Sequence, residues 1–189
     1  MGPGTASDAL EDLPQHTWSQ ALVNNGRFIV MGVSGSGKSA IGTALARALG
    51  IDFVEGDEYH PAVNVQRMAS GVALTDDDRA EWLRALAARI RLSTHAGTGL
   101  VMTCSALKRS YRNVLRAESS QLRFVFLRGE SALIAERLAS RRGHFMPPSL
   151  LESQFATLEE PSPDEQAWVC DIRQSPHDLV AGLVARVSA

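Results

Sequence analysis

The sequence contains no long hydrophobic segment and very little cysteine, and each absence narrows the class of protein. No run of about 18 apolar residues occurs, so we expect no membrane-spanning helix. Residues 1–25 hold no apolar core of the kind that a signal peptide requires. The two cysteines, Cys104 and Cys170, lack C-x-x-C spacing and are too few for a disulfide scaffold. We expect both to be buried, reduced thiols, which fits a cytoplasmic protein.

The chain also lacks a strong charge of either sign. Its 189 residues carry 19 Lys and Arg against 21 Asp and Glu, which gives a formal net charge of −2 at pH 7. Binding to DNA or RNA relies on a basic surface, so we expect no nucleic-acid partner. The length suits one domain, and 44% hydrophobic residues is ordinary for a globular protein.

From residue 26 onward, short apolar runs alternate with amphipathic segments. Strands are predicted at 28–31, 51–54, 100–104, 124–127 and 168–172. Helices are predicted at 38–49, 78–93, 107–118, 131–142, 148–158 and 176–187, with a shorter one after His60-Pro61. This alternation predicts an α/β fold whose mainly parallel, five-stranded sheet is covered by helices on both faces. Residues 1–25, rich in small and polar types, are predicted to be a flexible extension to a single domain at 26–189.

One motif is highly specific: Gly32-Val33-Ser34-Gly35-Ser36-Gly37-Lys38-Ser39 matches G-x-x-x-x-G-K-[ST] in full. Its glycines allow a tight turn whose N–H groups point at phosphate oxygens, and the following helix adds the positive end of its dipole. We expect Lys38 to reach the β- and γ-phosphates of ATP, and Ser39 to bind Mg²⁺. The alternative, a glycine-rich turn without function, is disfavoured because an apolar strand precedes the motif and a periodic helix follows it.

A second acidic motif, an Asp at the end of the third strand, is missing, since residues 101–105 read Val-Met-Thr-Cys-Ser. The nearest replacement is Asp57, directly after the second strand. The carboxyl ends of strands face the ligand crevice in an open α/β sheet. Asp57 is therefore expected to accept the proton of a substrate hydroxyl or to hold a metal-bound water. The alternative is an aspartate that caps a turn or helix.

More polar residues follow the second strand. His60, Asn64 and Arg67 could share one face of a short helix, where they would suit a polyhydroxy or anionic acceptor. The acidic run Asp76–Asp78 fits the start of a helix, where negative charge is favourable. That explanation does not cover Arg79, so a role in substrate binding stays open for this group. For His60 and Arg67 the alternative is an ordinary surface position.

Two further clusters of cations lie near predicted strand ends. Lys108 and Arg112 are one helical turn apart, a spacing suited to a carboxylate or phosphate, although a solvated basic face is the alternative. Arg137, Arg141 and His144 surround a helix end that carries a glycine, which suits a mobile lid over ATP. Favourable pairing of cations with a helix C-terminus is the alternative there.

Several blocks, in this order, resemble the gluconokinase family: the phosphate loop, Glu-Gly-Asp-Glu-Tyr-His-Pro (55–61), Arg-Met-Ala-Ser-Gly (67–71), Leu-Thr-Asp-Asp-Asp-Arg (74–79), Cys-Ser-Ala-Leu-Lys (104–108), Gly-His-Phe (143–145) and the stretch 154–161. The likeness covers about residues 27–175. Arg67 stands where the family commonly has lysine. The resemblance implies phosphorylation of D-gluconate on its 6-hydroxyl by ATP. It also implies a three-layer P-loop kinase fold with a short helical lid near 128–150, related to shikimate and adenylate kinases, and a homodimer.

The resemblance and the residues together assign roles. Lys38, Asp57 and Arg141 are expected to be catalytic, and residues 32–39 with Arg137 to hold ATP. Mg²⁺ is expected on Ser39 and, directly or through water, on Asp57. The expected gluconate ligands are Asp57, His60, Arg67, Arg79, Lys108, Arg112 and His144. Two alternatives remain: a kinase of another small acceptor, such as shikimate or a nucleoside monophosphate, and a non-catalytic nucleotide-binding module, which the clustered polar residues disfavour.

Overall fold

Five short apolar runs form the strands of one parallel sheet. The computed structural model describes residues 25–140 and 148–188 of the chain. The strands are β1 (Arg27–Met31), β2 (Asp52–Val54), β3 (Leu100–Thr103), β4 (Leu122–Arg128) and β5 (Trp168–Asp171). They lie in the order β2-β3-β1-β4-β5, and every neighbouring pair is parallel. The central position of β1 and β3 brings the loops that follow them to the middle of one sheet edge.

Seven α-helices connect and flank these strands within the described ranges. They are α1 (Lys38–Leu49), α2 (Ala62–Ala69), α3 (Asp76–Ala96), α4 (Arg109–Arg116), α5 (Ser131–Ser140), α6 (Pro148–Thr157) and α7 (Pro176–Val187). Short 3₁₀ turns span Gly56–Tyr59 and Pro163–Glu165. The predicted bounds of α1 and α7 agree with the structure.

Helix α3 is longer than its predicted span, residues 78–93. It begins at Asp76 because Thr75 and Asp78 form a reciprocal capping box, in which each side chain accepts the other's backbone N–H. It ends at Gly97, which has a left-handed φ of 66°. The cap accounts for Asp78 as a structural residue, as the charge pattern of a helix start indicates.

The sheet separates two hydrophobic cores. Phe28 and Val30 of β1 pack in one cluster with side chains of α1 and α7. Ile29 and Met31, which point to the opposite face, pack with side chains of α3 and α4. All five residues of β1 are buried, as expected for a strand covered on both faces. The predicted three-layer α/β fold with a five-stranded parallel sheet is therefore confirmed.

Some predictions fall on residues that the structure does not describe. The N-terminal extension lies outside the described residues except for its last residue, and so do residues 141–147 of the predicted lid. The extension, the domain bounds and the lid stay predictions. Cys104 and Cys170 are buried and form no disulfide, as predicted. None of the described helices is both long and apolar enough to cross a membrane.

Candidate active site

The phosphate loop joins the end of β1 to the start of α1. Gly37, the residue before α1, has a φ of 98°, a left-handed conformation that a side chain would strain. The Nζ atom of Lys38 donates to the carbonyl oxygen of Val33 at 3.2 Å, so the lysine folds back over its own loop. Ser39 lies on the exposed side of the first turn of α1. The loop thus presents a lysine, a hydroxyl and a helix N-terminus together, which is the arrangement that binds polyphosphates.

A glutamine from α6 contacts the same loop, and the residue spacing gave no sign of it. The backbone N–H of Ser34 donates to Oε1 of Gln154 at 2.7 Å, and Nε2 of Gln154 donates to the Ser34 hydroxyl at 3.3 Å. The two residues are 120 positions apart in the chain. Gln154 lies in one of the blocks that carried the family resemblance, which was the sole signal in the sequence that could have pointed to it.

The turn after β2 is fixed against the end of β3. Gly56 donates its N–H to the Thr103 hydroxyl at 2.9 Å. A Cβ on Gly56 would lie 1.9 Å from the Thr103 carbonyl oxygen, so no other residue fits without moving the backbone. Thr103 also donates a hydrogen bond to the carboxylate of Glu55. Asp57 follows on this anchored turn, and its own side chain remains exposed.

His60 ends the same turn and stacks on Trp82. The two ring centroids are 4.2 Å apart, and the planes are inclined by 12°. Burial lowers the pKa of the imidazole, the charge of Asp57 opposes this shift, and the charge of Arg79 adds to it. His60 is therefore neutral near pH 7. Its Nδ1 atom is buried and has no hydrogen-bond partner in the part of the chain that the structure describes.

Cys104 is a buried residue on which charges from several segments of the candidate site act. It lies directly after β3, and burial raises the pKa of its thiol to about 12, so the sulfur is an unreactive thiol. The charged side chains that act on this thiol are Asp57, Lys38 and Arg79. The lysine of the phosphate loop, the aspartate after β2 and an arginine of α3 thus lie within electrostatic range of one point at the end of β3.

The acidic run at the start of α3 pairs with two of the predicted gluconate ligands. Both carboxylate oxygens of Asp76 accept hydrogen bonds from Lys108 at 2.7 Å. These bonds, with one from the Tyr111 hydroxyl, hold the pKa of Asp76 below its usual range. Arg67 forms an ion pair with Asp78 at 2.5 Å. Both cations are therefore already neutralised by carboxylates.

Arg79 differs from these cations. It is half-buried, and its guanidinium donates a long hydrogen bond of 3.5 Å to the Leu74 carbonyl oxygen. The guanidinium carbon also lies 6.0 Å from the centre of the Tyr111 ring. Among residues 25–140 and 148–188, no carboxylate forms an ion pair with Arg79. Its charge acts on His60 and on the Asp76 carboxylate without a direct ion pair, which leaves the guanidinium able to pair with an anionic ligand.

The expectation that Arg112 binds substrate is wrong. Its side chain is only 1% exposed, and its Nε and Nη2 atoms donate to both carboxylate oxygens of Glu165 at 2.6 and 2.7 Å. Its Nη1 atom donates to three backbone carbonyl oxygens, those of Ala106, Leu107 and Glu159. Since a buried guanidinium must be paired on all sides, Arg112 turns inward and stabilises the fold.

The predicted lid is described only in part. Arg137, in the last turn of α5, donates from Nη2 to the Ile172 carbonyl oxygen at 2.7 Å, so it contacts the segment after β5. Arg141 and His144 lie outside the described residues. Their roles in catalysis and in substrate binding, and the contact of Arg137 with ATP, therefore stay predictions.

Comparison with known proteins identifies the family. A family model described as an AAA domain matches residues 28–161. A gluconokinase of Gluconobacter oxydans is 52% identical over 162 residues, which are 86% of this chain and 91% of that protein. The thermoresistant gluconokinase of Escherichia coli is 42% identical, over 83% of this chain and 90% of that protein.

Solved structures agree with this assignment. The crystal structure of a gluconokinase from Sinorhizobium meliloti is 45% identical, with a TM-score of 0.79, over 87% of this chain and 94% of that one. Shikimate kinase from Aquifex aeolicus, at 18% identity and a TM-score of 0.58, shares the fold. Sequence and structure together place the chain in the gluconokinase family of P-loop kinases.

Proposed function

We propose that this protein transfers the γ-phosphoryl group of ATP to the 6-hydroxyl of D-gluconate, which gives 6-phospho-D-gluconate and ADP. The observation that carries the proposal is that the phosphate loop and the turn with Asp57 are both hydrogen-bonded to the end of β3. The Gly32 N–H donates to the Ser105 carbonyl oxygen at 3.3 Å, and the Gly56 N–H donates to the Thr103 hydroxyl at 2.9 Å. The phosphate-binding Lys38, the exposed carboxylate of Asp57 and Arg79, which forms no ion pair among the described residues, are the groups needed to hold a triphosphate, orient a hydroxyl and bind a carboxylate. The identity to gluconokinases supports this acceptor.

On the donor side, the N–H groups of residues 32–39 and the Lys38 ammonium hold the β- and γ-phosphates. Ser39 and Asp57 provide exposed oxygen atoms, the ligand type that Mg²⁺ prefers, so they fit this ion, with Asp57 acting directly or through water. The ion supplies charge neutralisation on the phosphates. Lys38 stabilises the charge that moves onto the bridging oxygen as the phosphoryl group leaves.

On the acceptor side, Asp57 accepts the proton of the 6-hydroxyl or orients that hydroxyl for in-line attack. Arg79 pairs with the gluconate carboxylate. His60 is neutral, so it exchanges hydrogen bonds with sugar hydroxyls and adds no second charge. Lys108 and Arg67, each paired with an aspartate, contribute at the rim of the pocket, because a ligand carboxylate must compete with those partners.

The remaining assignments rest on the family. Arg137, Arg141 and His144 belong to a lid over 128–150 that closes on ATP, and Arg141 stabilises the transferred phosphoryl group. The protein acts as a cytoplasmic homodimer on a small-molecule substrate, without a nucleic-acid or membrane partner.

An assay of ADP release with four acceptors tests the proposed function. Purified protein with MgATP is supplied with D-gluconate, shikimate, AMP or adenylylsulfate, and the phosphorylated product is identified by mass spectrometry. Of the four acceptors, we expect only D-gluconate to give saturable ADP release. Its product should be heavier than gluconate by one phosphoryl group. Faster release with another acceptor would identify a different small-molecule kinase. ATP binding without release under any acceptor would indicate a nucleotide-binding module.

A further inference from the structure

Trp82 connects the hydrophobic core to the turn that carries Asp57. It lies in the second turn of α3, has no exposed surface, and packs in the core between α3 and the sheet. Its indole N–H donates to the carbonyl oxygen of Gly56 at 2.7 Å. The indole face stacks on the ring of His60 at 4.2 Å. One rigid side chain thus touches the turn at two points.

These two contacts lie on either side of Asp57. Gly56 precedes it directly, and His60 follows three residues later. The turn is a short 3₁₀ helix, and the backbone bonds at its two ends, from Glu58 to Glu55 at 3.2 Å and from His60 to Asp57 at 3.3 Å, are long. The contacts with Trp82 therefore add to the bonds of the turn in positioning the backbone that carries Asp57.

A core position that needed only volume could be filled by any large apolar residue. A buried indole N–H needs a hydrogen-bond acceptor, and here the acceptor is the peptide group next to Asp57. The opposite side of the same peptide segment is held by Thr103, which accepts the Gly56 N–H. Trp82 and Thr103 together leave the turn little freedom to shift.

We infer that Trp82 is a positioning residue for phosphoryl transfer, which holds the Gly56–His60 turn so that Asp57 meets the acceptor hydroxyl. The inference rests on the proposed function only in that Asp57 faces the acceptor. The hydrogen bonds of residues 32–39 within the described part of the chain do not involve Trp82, so we expect its effect on the acceptor side. Its indole is also a spectroscopic reporter of that side, because His60 is stacked on it.

The first test compares two core variants of α3. Trp82→Phe keeps an aromatic ring but removes the N–H donor, and it should lower kcat about tenfold to a hundredfold, because small displacements of a reacting group are costly. The KM for ATP should stay within about twofold, because the substitution leaves the groups that bind ATP unchanged. Ile90→Ala is the control, since Ile90 lies on the same helix, is equally buried and is remote from the turn. It should lower Tm at least as much while kcat is retained.

The second test leaves Trp82 in place. In the variant Trp18→Phe, Trp168→Phe, Trp82 is the sole indole, and its emission should change saturably with gluconate but not with ATP alone. Adding His60→Gln should remove most of that change. Equal loss of kcat in the Trp82→Phe and Ile90→Ala variants, or an emission response to ATP alone, would overturn the inference. If the wild type used another acceptor, the proposed function would fail, while the same two comparisons made with that acceptor would still decide the role of Trp82.

Discussion

The proposed donor and acceptor sides of the site are built in different ways. The donor side is one run of eight residues, 32–39, whose function depends largely on backbone N–H groups and a helix start. The acceptor side collects side chains from the turn at 56–60, from α2, from the start of α3 and from the segment before α4. Two of its cations, Arg67 and Lys108, are paired with carboxylates from another segment, the start of α3. We therefore expect nucleotide binding to be less sensitive to substitutions outside residues 32–39. Binding of the acceptor should be sensitive to substitutions in every segment that contributes a side chain or its ion-pair partner.

The largest expected effect lies on the donor side. Lys38→Ala removes the ammonium that stabilises the transferred charge, and we expect kcat to fall by about a thousandfold or more. The fold should persist, because Lys38 is only half-buried and lies at the first position of α1. ADP release measures the first effect, and thermal unfolding measures the second. Arg47→Ala, an exposed cation in the last turn of the same helix, is the control. Near-normal kcat in Lys38→Ala would show that the proposed mechanism is wrong.

A large effect on stability is expected from Arg112. Arg112→Ala leaves the Glu165 carboxylate buried without its partner, which typically costs about 3–5 kcal/mol in the free energy of unfolding. Lys108→Ala, one helical turn earlier, breaks only a solvent-exposed pair with Asp76, so we expect a much smaller loss of stability. Urea unfolding measures both. If the two variants lost equal stability, the structural role of Arg112 would be contradicted.

The same pair predicts a dependence of stability on pH. Hydrogen bonds from Arg112 hold the pKa of Glu165 below its ordinary value of 4.5. Its stabilising contribution is therefore complete above pH 4.5 and is lost as the pH falls towards the lower pKa of the folded state. The difference in unfolding free energy between wild type and Glu165→Gln should be larger at pH 7 than at pH 4. A difference that does not change over this range would contradict the assignment.

Arg112 also shows where prediction from sequence ends. The phosphate loop, the positions of the five apolar strands and the bounds of α1 and α7 follow from local patterns, and they could be predicted. Lys108 and Arg112 have the same local pattern, yet Lys108 is partly exposed and Arg112 is buried. What separates them is Glu165, 53 residues further along the chain from Arg112. Local spacing contains no information about such a partner, and the same holds for Gln154 and Ser34.

On the acceptor side, Asp57→Asn keeps the shape of the side chain but removes its ability to accept a proton. We expect kcat for gluconate to fall about a hundredfold, with little change in KM, since a general base acts mainly in the transition state. Steady-state kinetics with ADP detection measures this. Glu58→Gln, the next residue on the same exposed turn, is the matched control. If Asp57→Asn raised only KM, Asp57 would be a binding residue.

A smaller effect on the acceptor side is expected from Arg79. Arg79→Ala should raise the KM for gluconate about tenfold to a hundredfold, the usual worth of hydrogen bonds to a charged group. Arg67→Ala should have a weaker effect, because Arg67 is already paired with Asp78. Inhibition by sorbitol, a neutral polyol, should not change in Arg79→Ala, since it offers no carboxylate. A greater rise in KM from Arg67→Ala than from Arg79→Ala would reverse this ranking.

The smallest expected effect tests whether ATP binding depends on residues 32–39 alone or also on a side chain from α6. Gln154→Ala removes the side chain that accepts the Ser34 N–H, and we expect the KM for ATP to rise about twofold to tenfold, the range of one neutral hydrogen bond. The KM for gluconate should not change. Glu152→Ala is the control, because Glu152 is exposed on the same helix.

A second variant tests the effect of charge at this position. Gln154→Glu should raise the KM for ATP more than Gln154→Ala does, because it keeps an acceptor for Ser34 but places a negative charge beside the loop that holds phosphate. If Gln154→Glu bound ATP as well as the wild type, the contact would be a packing feature of α6 with no part in nucleotide binding.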